Sequence, residues 1–519
     1  MILKKMLASF FILLVFIVKA QDEFITIWQP ASTVMQPINV SAPYQANSQQ
    51  IWFPGIGDNY DIYWEEVDFP QHNGNLTNVT STKQVFIDFG TSLKDGNDVK
   101  YRVKVSNGNG VFKQIKFGDV QEIPLPDEIF PVWQINGSAD KILEIEQWGN
   151  IAWTTMNSAF TQCKLIQITA TDTPNLSNVE DASYMFYGTK SFTGASSMQN
   201  WDTSRIKNFR YTFAILFDTI INSLPDQFNP PYFNSWNMSS ATDLSFMFAG
   251  RGLFNQTLNN WNVSKVTDMK WMFALCSSYN QPMDKWDTSS LEDIRFMFHF
   301  IPVFNQSLSN WNTSKVTIMA HALHGCTSFN QSLENWDMTN VTRIDQILKT
   351  TPSFNQSLAN WNLATLNDGI QAFTETGIDC ENFSKTLAGW ADNPNTVNNI
   401  HLDDVTSLTY ASNVIDKRNI LSNKGWMMSG DTVGNCLLAS SDVKFRKKLL
   451  LYPNPAVDDI HIEGLEDIKG YKIYDAGGRL IMEGNPNKDM INVGSLPKGN
   501  YILQLILKEK TISSKFIKK

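Results

Sequence analysis

His321 and His324 stand three residues apart, and on a helix that spacing would put two imidazoles on one face, where they could share a metal ion. No carboxylate joins them in an HExxH pattern, so a structural or surface role is the better reading and no metal site is assigned. Asp243, Asp268 and Asp293 align at a fixed spacing and could offer oxygen ligands to calcium. Ile318 and Arg343 interrupt that column, which leaves solvated helix faces as the default. The chain contains no GxSxG, no Walker loop, no dinucleotide fingerprint and no CxxC, which removes the usual signs of acyl transfer, phosphoryl transfer, hydride transfer and thiol redox chemistry. A carboxylate pair for glycoside hydrolysis would not show, because its separation is set in space. Such a pair would have to break the sequence pattern described next, either in an insertion at 218–233 or in the N-terminal module. No catalytic residue and no cofactor is therefore assigned.

These columns exist because the chain repeats. Trp236, Trp261, Trp286, Trp311, Trp336 and Trp361 are each 25 residues apart, and Trp201 precedes them by 35. Counted from each Trp, an aromatic lies at −7 (Phe254, Tyr279, Phe304, Phe329, Phe354) and Leu or Met at −3 (Leu258, Met283, Leu308). Asp or Asn follows at +1, Ser or Thr usually at +3, and apolar residues at +5, +8, +11 and +12, as in Val266, Met269, Met272 and Phe273. The second half of each repeat predicts a short helix, with the Ser or Thr as its N-cap and the apolar residues as one stripe. The first half, as in "FNQSLSNW", predicts a short strand entered by a turn. One strand and one helix cannot bury a core alone, so the copies must stack. Asn recurs at −6 (Asn255, Asn280, Asn305, Asn330, Asn355) and at −1 (Asn260, Asn310, Asn335, Asn360). In a stack these side chains would bond the backbone of the neighbouring coil; glycosylation at N-x-S/T sequons such as Asn255 and Asn305 is the competing reading.

Offset +10 carries Tyr211, Phe246, Trp271, Phe296 and His321. On a helical wheel it lies opposite the core stripe, so these aromatics form a candidate ligand-contact stripe for glycan rings or a partner protein. Irregular turns in place of helix would instead pack them beneath the next coil.

Composition narrows the setting. Of 519 residues, 42% are apolar and 18% charged, which is the composition of an ordered protein, and the net charge of −9 argues against a nucleic-acid partner. Residues 1–20 read as a signal peptide: Lys4 and Lys5, an apolar run, and a small-residue cleavage site before Gln21. No second apolar run is long enough to span a membrane, so none is expected after cleavage.

The pattern "W(D/N)xSxVTDMxxMF…FNQxLxxW" resembles the repeats of BspA-like leucine-rich-repeat surface proteins over roughly 130–440. "ILEIEQWGNIAWTTMNSAFTQC" is similar to that family's opening segment, and "LAGWADNP" and "ILSNKGWMMSGD" to its closing one. The resemblance implies a curved stack of strands and short helices, surface display, and a binding or adhesive role. Cys163, Cys276 and Cys326 share a column, and two coils of separation is too far for a disulfide, so they are expected to be free and buried. Cys380 and Cys436 flank the closing segment, and a disulfide between them would pin the C-terminal cap.

Residues 21–128 carry short β-rich runs and resemble a PKD-like β-sandwich, with "YWEEVDFP" where that family has "DWGDGT". Residues 441–449 read as a polar, basic linker. Residues 450–519, with "YPNP", "YDAGGR" and "LPKGNYIL", resemble the C-terminal sorting domain of type IX secretion cargo. That resemblance implies the type IX machinery as a partner and export across the outer membrane of a Gram-negative bacterium, with attachment or release at the surface.

The expected architecture is thus an α/β repeat solenoid, leucine-rich-repeat-like, at 129–440. A β-rich module precedes it and a β-sandwich sorting domain follows. The expected function is non-catalytic recognition or adhesion toward a glycan or a host or partner protein. A polysaccharide-acting hydrolase or its accessory subunit is the alternative, and a structural spacer the third reading.

Overall fold

The computed structural model describes residues 22–32, 47–124, 129–216, 225–438, 450–463, 468–475, 477–486, 488–508 and 511–519. The leader at 1–20 and the linker at 441–449 lie outside the described residues. The chain divides into two compact units, residues 1–439 and 440–519.

Alternating burial gives the N-terminal strands an apolar face and a wetter one, as in "YRVKVS" at Tyr101–Ser106. Among the described residues, eleven strands precede the main repeat array. They are β1 (Phe24–Trp28), β2 (Gln50–Phe53), β3 (Gly55–Glu66), β4 (Asn73–Ser81), β5 (Val85–Asp88), β6 (Tyr101–Ser106), β7 (Val111–Ile115), β8 (Gly118–Pro124), β9 (Ile129–Ile135), β10 (Ile142–Gln147) and β11 (Gln167–Ile168). Seven form one sheet in the order β11-β10-β1-β6-β3-β4, with β7 also on β3, while β2–β5 and β8–β9 are separate pairs. This sheet runs across residue 128: β1 pairs antiparallel with β10, and β10 pairs parallel with β11. The first coil is therefore built directly onto the N-terminal strands.

From Asp181 to Asp368 the α/β solenoid, with a strand and a helix in each repeat, does not occur. The described residues there hold no α-helix and no strand, only 3₁₀ turns at Ser196–Asn200 and Phe233–Ser235. Successive repeats are joined instead by single parallel bridges, Asp243↔Asp268, Asp268↔Asp293, Asp293↔Ile318 and Ile318↔Arg343 among them.

The backbone hydrogen bonds explain why no helix forms. In an α-helix every N–H turns back to its own chain four residues earlier. Here alternate N–H groups cross to the next repeat: Met269 to Asp293 O (3.0 Å), Trp271 to Arg295 O (3.0 Å), Phe273 to Met297 O (3.1 Å) and Leu275 to His299 O (2.8 Å). The residues between them close four-residue turns, Met272 to Met269 O, Ala274 to Trp271 O and Cys276 to Phe273 O. The turn ribbons place left-handed residues at +10 and, from Gly250 on, at +14, as in Trp271 (φ 60°) and Leu275 (φ 62°). Left-handed backbone costs a non-glycine residue about 1–2 kcal/mol, and the bonds between coils offset it. The apolar offsets still reach the core, with Val266, Met269, Met272 and Phe273 fully buried. The spacing identified the buried residues but not the element, because a ribbon of short turns also brings +8, +11 and +12 to one side.

The degenerate copy "ENFSKTLAGW" lies on a true helix, α1 (Cys380–Asp392), capped by the Asp379 side chain on Asn382 N–H at 2.8 Å. A second helix, α2 (Ile415–Asn423), and two parallel pairs close the unit: β12 (His401–Asp404) with β14 (Met427–Ser429), and β13 (Thr409–Ala411) with β15 (Thr432–Gly434).

The second unit has two antiparallel sheets. One is β16 (Leu450–Tyr452), β17 (Asp459–Glu463) and β20 (Met490–Asn492); the other holds β18 (Gly470–Asp475), β19 (Leu480–Gly484), β21 (Gly499–Ile506) and β22 (Thr511–Lys518). Ile460, Ile473, Ile491, Val493, Leu503, Leu505 and Phe516 form one core between them. The β18–β19 hairpin turns at Gly478, whose φ of 79° suits glycine, and Asp475 Oδ1 accepts from Gly477 N–H and Arg479 N–H.

Candidate functional site

Most of the repeated letters build the stack. From Trp236 on, each reference Trp donates its indole N–H to the −3 carbonyl of the preceding repeat: Trp261 to Phe233 O (2.7 Å), Trp286 to Leu258 O (3.0 Å), Trp336 to Leu308 O (3.1 Å), and Trp390 of α1 to Leu358 O (3.0 Å). A buried indole needs such an acceptor. The Asp or Asn at +1 accepts from the +3 N–H in an Asx turn, as in Asn262 with Ser264 and Asp287 with Ser289. That turn, not a helix N-cap, is the reason for the pair.

The −6 asparagines form a ladder. From Asn255 to Asn330 each side-chain oxygen accepts the backbone N–H of the equivalent Asn one repeat on, and the amide of the Gln beside it; Asn355 accepts from Asp379 N–H and Asn382 Nδ2. Asn255 accepts from Asn280 N–H (2.9 Å) and Gln281 Nε2 (3.0 Å), and Asn330 from Asn355 N–H (2.9 Å) and Gln356 Nε2 (2.9 Å). The −1 column is used differently: Asn360 Nδ2 bonds the Glu334 carboxylate of the previous repeat.

The aromatic column at +10 is interior. Tyr211, Phe246, Trp271 and Phe296 are 0–5% exposed. Their rings stack coil upon coil, with centroids 4.1 Å apart for Tyr211–Phe246, 5.6 Å for Phe246–Trp271, 4.2 Å for Trp271–Phe296 and 4.2 Å for Phe296–His321. The left-handed backbone at +10 turns these side chains inward, so the wheel that placed them on an open face does not apply. Their Ala neighbours at +13, Ala214, Ala249 and Ala274, share the same cluster.

At +13 the alanines give way to His299 and then His324 in consecutive repeats. These two and His321 gather into one cluster, with candidate ligand atoms all within 4.8 Å of one another. His321 Nδ1 lies 3.3 Å from His324 Nδ1, and His321 Nε2 lies 3.5 Å from an Asp345 carboxylate oxygen. Asp345 is held in turn by Arg343. Burial holds His299 down to about 3 and His324 to about 4, so both rings are neutral. His324 also feels Lys349, which lowers it further, and Glu375, which opposes. The Phe300 ring sits 4.3 Å from His299 and 4.9 Å from His324. The pair His321 and His324 stood out by spacing; His299 did not, because its only signal is a departure from Ala in a column read across repeats.

Asp243, Asp268 and Asp293 each accept the N–H two residues on, at Ser245, Lys270 and Arg295. Asp268 and Asp293 also pair with the Lys270 ammonium and the Arg295 guanidinium, so this column is an Asx ladder carrying its own cations. Cys163, Cys276 and Cys326 are free and buried, and burial pushes all three thiols up, away from the reactive thiolate. Cys380 and Cys436 are joined by a disulfide, with Cα atoms 6.1 Å apart.

Where the repeat breaks, the carboxylates are also engaged. Asp226, in the described part of the insertion, accepts from the fully buried Arg251 at 2.9 Å, while Phe228 joins the stacked rings. In the N-terminal strands Glu66 accepts from Leu93 N–H (2.9 Å) and Lys94 N–H (2.8 Å) and meets His72 Nδ1 at 2.6 Å. Burial pushes its carboxyl up, but these bonds outweigh burial and hold it below the usual range.

Stacked 25-residue turn repeats, an N-terminal sheet and a C-terminal two-sheet unit define a multidomain repeat protein. Residues 154–223, 217–309 and 283–390 match the family described as "Mycoplasma protein of unknown function, DUF285". Residues 450–519 match the secretion system C-terminal sorting domain, which marks a secreted, cell-surface protein of a Gram-negative bacterium that engages the type IX secretion machinery. The matching repeat family is one of unknown function, and its description does not name leucine-rich repeats. No curated protein matches the chain. Among the described residues no helix is long and apolar enough to cross a membrane.

Proposed function

We propose that the protein is a non-catalytic recognition module, displayed at the outer surface, that adheres to a glycan or protein ligand. One observation carries this reading. The turn edge formed by residues 250–253, 275–278 and 300–303 exposes Leu253, Leu275, Phe300 and Val303 by 39–51%. These residues recur at two offsets, −8 for Leu253 and Val303 and +14 for Leu275 and Phe300. Their turns are tied together by Ser278 N–H to Gly252 O at 3.0 Å. Exposed apolar residues gathered on neighbouring turns of one edge suit a partner more than they suit water. The shared Trp, Asn and +10 residues are occupied in joining coils, which leaves the variable edge positions for contact.

The test uses the full secreted chain on glycan and matrix-protein arrays, beside a panel of hydrolase substrates. Leu275→Ser and Phe300→Ser should weaken binding at least tenfold with little change in Tm. Turnover without stable binding, or binding indifferent to both changes, would overturn the reading.

A further inference from the structure

We propose that His299, His321 and His324 form a binding site for a divalent transition metal of the zinc class, bridging two consecutive repeats. Imidazole suits such ions, and three histidines with an open fourth position is an established ligand set for zinc. The geometry is close to what the ion needs. Zinc–nitrogen bonds of about 2.0–2.1 Å in tetrahedral geometry put ligand nitrogens about 3.3 Å apart. Nδ1 of His321 and Nδ1 of His324 already stand at 3.3 Å, and one ring nitrogen from each of the three histidines lies within 4.8 Å of the others. The three ring centroids lie 4.8 to 5.9 Å from one another.

Two further features point to an ion. The Nδ1 of His299 is buried and has no hydrogen-bond partner, which is costly for a ring nitrogen unless something else uses its lone pair. His321 turns its other nitrogen toward Asp345, the carboxylate–histidine arrangement that fixes a metal-bound imidazole, and Arg343 holds that carboxylate. Around the rings, Asp345 and Glu375 supply negative charge and Lys349 positive, with the Lys349 ammonium donating to Gln371 Oε1 at 2.7 Å. Because His299 belongs to one repeat and His321 and His324 to the next, a bound ion would clamp one coil to the other.

The experiment takes the untagged full chain, stripped with EDTA, and titrates it with Co²⁺ read by visible absorption and with Zn²⁺ read by calorimetry. The expected result is one equivalent per chain, with His299→Gln and His324→Gln each weakening binding at least a hundredfold and Asp345→Asn about tenfold. His401→Gln, outside the cluster, should leave binding unchanged. Zn²⁺ should raise the Tm of the native chain and not that of His299→Gln. If His324→Gln fails to fold, His299→Gln decides, since its Nδ1 supports no other bond. Absence of a cobalt spectrum, or binding that survives His299→Gln, would overturn the proposal.

Discussion

The backbone N–H of Asn305 donates to the side-chain oxygen of Asn280 at 3.0 Å, and Asn305 offers the same oxygen to Asn330 one repeat later, at 2.9 Å. One residue is thus donor to the coil before and acceptor for the coil after. The shared column holds the period of the array at this edge, while the indole bonds hold it in the core.

The ladder makes a direct prediction. Asn305→Ala removes the acceptor for both Asn330 N–H and Gln331 Nε2 at a solvent-accessible edge, which should cost about 0.5–1.5 kcal/mol. Asn305→Asp keeps an oxygen in place and should cost less. Chemical denaturation of the two variants beside the native chain compares them; equal losses would mean that the oxygen is not what matters.

The +10 stack should behave as core. Phe246→Ala removes a ring held between Tyr211 and Trp271, and large aromatic-to-alanine changes in a packed interior cost about 3–5 kcal/mol. Thermal unfolding should show a marked drop in Tm. A near-native Tm would contradict the burial described for this column.

Burial pushes the carboxyl of Asp268 up to about 6, with Asp243 and Asp293 adding to burial and Lys270 opposing it. A carboxyl raised in the folded state contributes stability below its unfolded pKa near 3.8, and that contribution is lost as pH rises through about 6. Asp268→Asn keeps the acceptor for Lys270 N–H and discards the charge. It should therefore stabilise the protein at pH 8 by on the order of 1–3 kcal/mol and make little difference at pH 4. Denaturation midpoints at the two pH values measure this; a gain at pH 4 alone would reverse the sign and refute it.

The five cysteines should separate cleanly. In the native protein no thiol should react with iodoacetamide, and after denaturation without reductant three should, at Cys163, Cys276 and Cys326. Replacing Cys380 and Cys436 together by Ser frees a closed loop with a sequence separation of 56 and should lower stability by about 2–4 kcal/mol. Rapid labelling of Cys276 in the native state would show that the coil around it opens easily.

Much of the candidate site was legible only as columns. Spacing along the chain paired His321 with His324, but said nothing about His299 approaching both from the repeat before. That approach depends on the left-handed backbone at +10 and +14, which no single side chain at those positions announces: Tyr, Phe, Trp and His all occupy the first of them. A helical wheel applied to the same letters put the +10 rings on an open face. The expected helix and strand failed for the same reason, because half of the N–H groups bond to another repeat and local propensity does not register them.

The amino-acid sequence by itself determined the 25-residue period, the Trp and Asn columns, the buried apolar offsets and the secretion signature at 450–519. Those depend on residue type and spacing, which a linear chain displays. Tertiary structure alone decided the handedness of each turn, the burial of Tyr211, Phe246, Trp271 and Phe296, and the meeting of His299 with His321 and His324. Each of these depends on hydrogen bonds between coils, and such bonds exist only once the copies have stacked.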